Sequence, residues 1–261
     1  MIYSVVAVVG AIAGSVANML IHRLPRQLPI GMARSKCPRC HTTLNGWDLI
    51  PIFSFVTSMG RCRHCKAQIS GRYLLVELLC VGTSVGLVAY WGLSAPLLYW
   101  GIVAYLGLLI FFIDMETQLI PNSLSHTLGI TGLIGHALSS SWTTAVISAV
   151  IAGGSMGALS AITQKIYRRP TFGGGDTQLM AALGSVLGWS AAGWSLYAGF
   201  IVGGMVTAPL LLFKIKARTD KIAFGPFIIL GAVIVIGACL SGYGPTVMIH
   251  TVTIPYLPWT Q

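Results

Sequence analysis

The residues best suited to chemistry are two aspartates, Asp114 and Asp176, in a chain with only six acidic residues. Asp114 closes the apolar run that begins at Leu108 and leads into Met115-Glu-Thr-Gln-Leu-Ile-Pro121-Asn122. Asp176 follows Gly173-Gly174-Gly175 and opens the next apolar run. A carboxylate near lipid is costly, which makes each a functional candidate. Two that share a site cannot both ionise easily, so one keeps a proton. Such a pair suits hydrolysis of a peptide bond. The ionised member takes a proton from water, and the protonated member donates to the carbonyl oxygen under attack. A single Asp at a helix end is more often a cap or an interfacial anchor; the pairing lifts these two above that reading.

Helix polarity assigns roles within the pair. Asp176 stands at a helix N-terminus, where the dipole and free N–H groups favour an anion. Asp114 stands at or just past a helix C-terminus, where the dipole disfavours one. Asp176 is therefore read as the ionised base and Asp114 as the proton holder, titrating as a unit. Gly173, Gly174 and Gly175 allow backbone conformations closed to other residues and let a substrate backbone approach. A phosphate loop fails as an alternative, because no Lys-Ser/Thr follows. Pro121 biases the residue before it toward an extended conformation, a segment able to pair with an extended substrate, and Asn122 follows it. Gln178, two positions after Asp176, can only hydrogen-bond. Glu77, near one end of an apolar run, either supports the site or pairs with Arg72. Glu116 and Asp220 read as solvated loop charges.

The elements that position these residues are membrane helices. The chain of 261 residues is 55% hydrophobic and 8% charged, with a mean hydropathy of +0.79; soluble domains carry about 25% charged residues. Apolar runs near the ~20 residues that span a bilayer recur at 1–21, 73–93, 96–113, 123–139, 142–163, 179–194, 195–213 and 222–240. The expectation is an all-α polytopic membrane protein of about eight transmembrane helices. All sixteen Lys/Arg fall in 22–72, 164–178 and 214–221, which eight spans place on one side, together with 114–122. By the positive-inside rule that side is cytoplasmic and both termini are periplasmic. This placement removes nucleic acid as the reason for the net charge of +10. The first 21 residues lack a basic leading region and read as an uncleaved span.

Residues 22–72 form the one long polar stretch, a small cytoplasmic domain between the first two helices; 73–240 form a catalytic bundle of about seven helices, and 241–261 a non-cytoplasmic tail. The insertion is too short for a conventional core and needs a metal or disulfides. It supplies Cys37-Pro-Arg-Cys40 and Cys62-Arg-His-Cys65, two knuckles that place four thiolates around a structural zinc. Disulfides compete, but cytosolic thiols stay reduced. His41 and His64 read as surface residues. Cys80 and Cys239 lie inside spans and read as packing residues. No internal repeat stands out.

The chain resembles the type IV prepilin leader peptidases, the bifunctional peptidase/N-methyltransferases of type IV pilus and type II secretion systems. The resemblance runs through Gly14-Ser-Val-Ala-Asn18-Met-Leu-Ile-His-Arg-Leu-Pro25, the two cysteine pairs, Gly71-Arg-Tyr-Leu-Leu-Val-Glu77, both aspartate motifs and Ala223-Phe-Gly-Pro-Phe227. It implies a bacterial inner-membrane enzyme that cleaves prepilins or pseudopilins after a glycine at the cytoplasmic face. The new N-terminus would then be methylated from S-adenosylmethionine. No residue is assigned to that cofactor. Where the family usually carries lysine two positions after the second aspartate, this chain has Gln178, which leaves methylation or substrate preference open to change. A leader peptidase lacking methyl transfer is the nearest alternative. An ion-coupled transporter is the distant one, since transport sites lie near the midplane on broken helices. Membrane lipid is the other expected partner, with anionic lipid a mediator between a basic leader and so basic a face.

Overall fold

The computed structural model describes residues 1–30, 35–138, 141–168, 172–214 and 222–241. Asp220, most of the 214–221 basic loop and the expected tail after Ser241 lie outside them. Nine α-helices are described: α1 (Ile2–Arg23), α2 (Phe53–Thr57), α3 (Arg72–Trp91), α4 (Ala95–Thr117), α5 (Asn122–Leu138), α6 (Trp142–Tyr167), α7 (Gly174–Leu187), α8 (Trp189–Leu212) and α9 (Gly225–Leu240). Among the described residues there is no β-strand, only isolated bridges.

Eight helices are long, but five of them (α1, α3, α4, α6 and α8) have the length and composition to cross a membrane; α9 is a shorter apolar helix. Helix α7 has 14 residues, or ~21 Å at 1.5 Å per residue, against ~30 Å of hydrocarbon. Two boundaries differ from expectation. The apolar stretch 179–213 breaks at Gly188, at φ +85°, not after residue 194. Both flanks are equally apolar, so only the backbone of one glycine marks the end. Helix α4 runs through Asp114 to Thr117, so Asp114 lies inside the last turn.

The chain forms two compact units, 1–105 and 106–261, with the boundary inside α4. In the first, α1 and α3 pack antiparallel through small residues. A Cβ on Gly14 would stand 2.6 Å from the Glu77 Cα, and one on Gly10 would stand 3.0 Å from the Val81 Cα. The Asn18 amide donates to the Tyr73 carbonyl at 2.9 Å. Small residues let membrane helices approach closely, and polar side chains bridge them.

The insertion between α1 and α3 contains a repeat that its sequence hides. Leu44 N–H donates to Ser35 O as Ile69 N–H does to Gly60 O. Cys37 pairs with Thr42 as Cys62 does with Ala67, and the bridges Lys36–Thr43 and Arg61–Gln68 match. His41 and Lys66 take the same left-handed turn position, φ +56° and +57°. The two knuckles share backbone geometry at a constant offset while differing at most side chains.

In the second unit α7 is the central helix, buried along most of its length. It runs parallel to α5, with Gly129 against Ala182 and Gly132 against Ser185. It runs antiparallel to α6, with Gly153 against Ala181 and Gly184 against Ser148. Helices α8 and α9 form a second antiparallel pair through Gly199, Phe227, Gly231 and Ser195. The central placement fits the short length of α7, since its neighbours and not lipid cover it.

Candidate active site

Asp114 and Asp176 come from α4 and α7, and both are buried, 4% and 8% exposed. They lie within electrostatic reach of each other. Each carboxylate is held by a glycine N–H. Gly173 donates to Asp176 Oδ2 at 2.9 Å, and Gly225 donates to Asp114 Oδ2 at 3.0 Å. Gly173 is the N-cap of α7, and Gly225 is the first residue of α9.

This geometry corrects the dipole argument. Asp176 does sit in the first turn of its own helix, but Asp114 is carried to the N-terminus of α9. Both carboxylates therefore face the positive end of a helix, so helix polarity does not distinguish base from acid. The sequence shows which helix an aspartate belongs to, not which other helix ends against it.

The glycines act through space. None of Gly173, Gly174 and Gly175 has positive φ, so the expectation of backbone conformations closed to other residues is not met. A Cβ on Gly175 would stand 3.0 Å from the Ile120 Cβ, whereas one on Gly174 would meet nothing within 4 Å. Gly225 is tighter, its Cβ falling 2.6 Å from Asp114 Oδ2. Ile120 touches both positions, its Cδ1 lying 3.0 Å from the Gly225 Cβ position. The side chain just before Pro121 thus wedges between the N-terminal ends of α7 and α9. Pro121 itself starts α5, its carbonyl accepting from Leu124 N–H at 3.0 Å, with Asn122 as the first helical residue.

An aromatic cluster stands behind the glycines. Phe172 and Phe224 have ring centroids 5.2 Å apart, Phe200 lies 4.9 Å from Phe224, and Phe227 lies 6.5 Å from it. None of these was singled out from sequence, where phenylalanines in an apolar chain carry no distinguishing signal. Ser125 was also missed. It is 1% exposed, and the parallel α5–α7 register, taken one turn back from Gly129 and Ala182, sets it level with Gln178. Ser125 Oγ and Gln178 Oε1 are both buried without a hydrogen-bond partner among the described residues.

Glu77 lies in the first unit, in α3, and is 8% exposed. Its Oε2 accepts the Ile52 N–H at 2.7 Å, so it ties the insertion to α3. Glu116 is exposed on the last turn of α4. The four cysteines of the insertion form one cluster, with all Sγ atoms within 4.8 Å of one another and Cys37 Sγ 3.9 Å from Cys65 Sγ. No pair is joined as a disulfide. Donors of the turns prepare two of the thiols for deprotonation. The Thr42 hydroxyl, then the Thr42 N–H, hold the Cys40 thiol down to about 6, and the Cys65 and His64 N–H groups lower that of Cys62. The group could hold a metal ion. His41 and His64 are exposed beside it.

Residues 8–91 match the bacterial peptidase A24 N-terminal domain, and residues 101–241 match the type IV leader peptidase family. The chain belongs to the type IV leader peptidase family. Relatives from that family confirm the extent of the likeness. It is 32% identical to the prepilin leader peptidase/N-methyltransferase of Aeromonas hydrophila over 257 residues, covering 87% of each chain. The protein of the same name from Stutzerimonas stutzeri is 31% identical over 252 residues, 85% of each. That of Neisseria gonorrhoeae is 32% identical over 248 residues, 84% of this chain and 85% of the relative. No solved structure matches the chain.

Proposed function

We propose that this protein is a membrane aspartyl endopeptidase that removes the short basic leader of prepilins or pseudopilins at the cytoplasmic face of the bacterial inner membrane. The observation that carries the reading is the buried pair Asp114 and Asp176, each held by a glycine N–H at a helix N-terminus. Family membership and the names of the relatives supply the substrate class.

The mechanism follows from a dyad holding one proton. The ionised carboxylate takes a proton from water, and the oxygen attacks the scissile carbonyl carbon. The protonated carboxylate gives its proton to the carbonyl oxygen. Collapse of the tetrahedral species breaks the C–N bond, with a proton passing to the leaving nitrogen. The glycine N–H groups fix both carboxylates before substrate arrives, which lowers the entropic part of the barrier.

The insertion would hold a structural zinc on Cys37, Cys40, Cys62 and Cys65. Tetrahedral Zn–S bonds of ~2.3 Å put sulfurs about 3.8 Å apart, close to the 3.9 Å between Cys37 and Cys65. N-methylation of the new N-terminus rests on the relatives' names, with S-adenosylmethionine as the methyl source. A shallow depression bordered by Trp189, Trp194 and Tyr197 lies past the C-terminal end of α7, the far end from Asp176, and offers no charged partner. No residue is therefore assigned to that cofactor.

The test is cleavage of a prepilin in membranes by the wild type, Asp114→Ala and Asp176→Ala. The wild type is expected to release the leader, and neither variant is. A stably expressed variant cleaving at the wild-type rate removes the dyad mechanism. Mass spectrometry of the product N-terminus reads methylation separately.

A further inference from the structure

The insertion carries an apolar surface that neither the reaction nor the metal site explains. Trp47 is 69% exposed, Phe53 54%, Val56 62% and Met59 86%. These residues lie on a short 3-10 turn (Gly46–Leu49), on α2 and on the turn that follows α2. A soluble domain of this size would not leave four large apolar side chains together in water.

Three observations place the patch at a bilayer surface. First, Ile52, between Trp47 and Phe53, donates its N–H to Glu77, five residues into α3, a depth of about 7.5 Å along a membrane-crossing helix. Second, Leu75, Leu78 and Leu79, which flank Glu77 on α3, are exposed at 49%, 48% and 42%; they turn an apolar face outward at the same level. Third, basic side chains stand in and beside this segment. Arg63 pairs with Asp48 at 3.2 Å, beside Trp47, and the Arg72 guanidinium sits 4.8 Å over the Tyr73 ring at the start of α3. Aromatic rings with basic side chains mark the headgroup zone of membrane proteins, and anionic headgroups attract such cations.

We propose that residues 46–59 form an interfacial anchor, inserted into the headgroup and upper acyl zone of an anionic bilayer. Trp47, Phe53, Val56 and Met59 point into lipid, and Arg61, Arg63 and Arg72 meet phosphate. The insertion lies on the membrane instead of standing away from it, as monotopic elements do. This placement is independent of the cleavage reaction. It also gives the strained Ile52, at φ +63°, a purpose: the turn there aims α2 along the surface while Glu77 holds its N–H.

The full chain carrying 5-fluorotryptophan, in nanodiscs of phosphatidylcholine and phosphatidylglycerol in equal parts, tests the proposal. The Trp47 fluorine signal is identified by its loss in Trp47→Phe. It is expected to be broadened several-fold more by dissolved oxygen than by a water-soluble nickel chelate. Val56→Asp combined with Met59→Asp should reverse that ratio while the four thiols still bind zinc. A Trp47 signal open to nickel in the wild type overturns the proposal, as does one unmoved by the double change. A signal that closes only when prepilin is added assigns the surface to substrate and overturns it as well.

Discussion

The rings of Phe172 and Phe224 pack with centroids 5.2 Å apart, and each immediately precedes the glycine whose N–H holds one of the two aspartates. One apolar contact therefore ties together the loop before α7 and the loop before α9. Fixing it fixes both carboxylates at once. Aromatic pairs of this kind contribute about 0.5–1.5 kcal/mol beyond area burial, enough to hold a loop pair in one arrangement.

Loss of either ring should show in turnover more than in substrate binding. Phe172→Ala and Phe224→Ala are expected to lower kcat by about ten- to a hundredfold, in line with the sensitivity of catalysis to small misplacements. KM should change little, and Phe→Leu at either position should recover part of the loss. Steady-state cleavage with folded-protein controls checks this; a matched fall in folded protein would instead mark simple destabilisation.

Alanine at three glycines should give a graded result. Gly225→Ala puts a methyl 2.6 Å from Asp114 Oδ2 and 3.0 Å from Ile120 Cδ1 and is expected to abolish cleavage, since the methyl can be housed only by displacing the carboxylate that the Gly225 N–H holds. Gly175→Ala meets the Ile120 Cβ at 3.0 Å and should be impaired but active. Gly174→Ala meets nothing within 4 Å, sits in a helical first turn, and should cleave normally with about 0.4–1 kcal/mol of added stability from the unfolded side. Cleavage rates and thermal melts of the three variants read the series directly.

How much of this was readable beforehand follows from the kind of information each feature needs. The apolar runs located α1, α3, α4, α6 and α8, because a span announces itself by length and hydropathy. The cysteine pairs announced a four-thiol cluster by spacing alone. The partner of Asp114 was not readable, because Gly225 lies 111 positions away and nothing local links them. The glycine run before Asp176 invited an argument from backbone freedom, yet the need at Gly175 is for room beside Ile120. The break at Gly188 was hidden between two apolar flanks. For Asp114 and Gly175 the deciding contact is between distant segments, where pattern along the chain carries no signal; at Gly188 it is the backbone turn of a single glycine.

Metal removal should unmask a reactive thiol at Cys40. With the Thr42 hydroxyl and N–H holding Cys40 at about 6, Cys40 is a thiolate at pH 7, and the thiolate is the nucleophile. After chelation, iodoacetamide is expected to label Cys40 early at pH 7. The rate should fall to half near pH 6 and continue to drop below it, since the shift is downward and protonation quenches the nucleophile. Thr42→Val removes the first donor, raises the thiol, and should slow labelling at pH 7. Zinc restored before labelling should protect all four cysteines.

Glu77 offers the clearest separation of scaffold from chemistry. Its Oε2 accepts the Ile52 N–H, and its Cα stands against Gly14, so one residue joins α1, α3 and the insertion. Glu77→Gln keeps the shape and an acceptor oxygen, whereas Glu77→Ala leaves the Ile52 N–H without its partner. An abandoned donor costs ~1–3 kcal/mol when fully buried; Ile52 is half-buried, which places the cost toward the low end, and it falls on a residue already at positive φ. The expected outcome for Glu77→Ala is an insertion cut faster by trypsin at Arg61 and Arg63, with zinc content retained because the knuckles close on their own hydrogen bonds. Glu77→Gln should resist trypsin almost as well as the wild type. Equal trypsin sensitivity in wild type and Glu77→Ala would show that the Ile52 contact does not hold the insertion. Zinc lost in step with the cuts would show that the cluster depends on α3 for its shape.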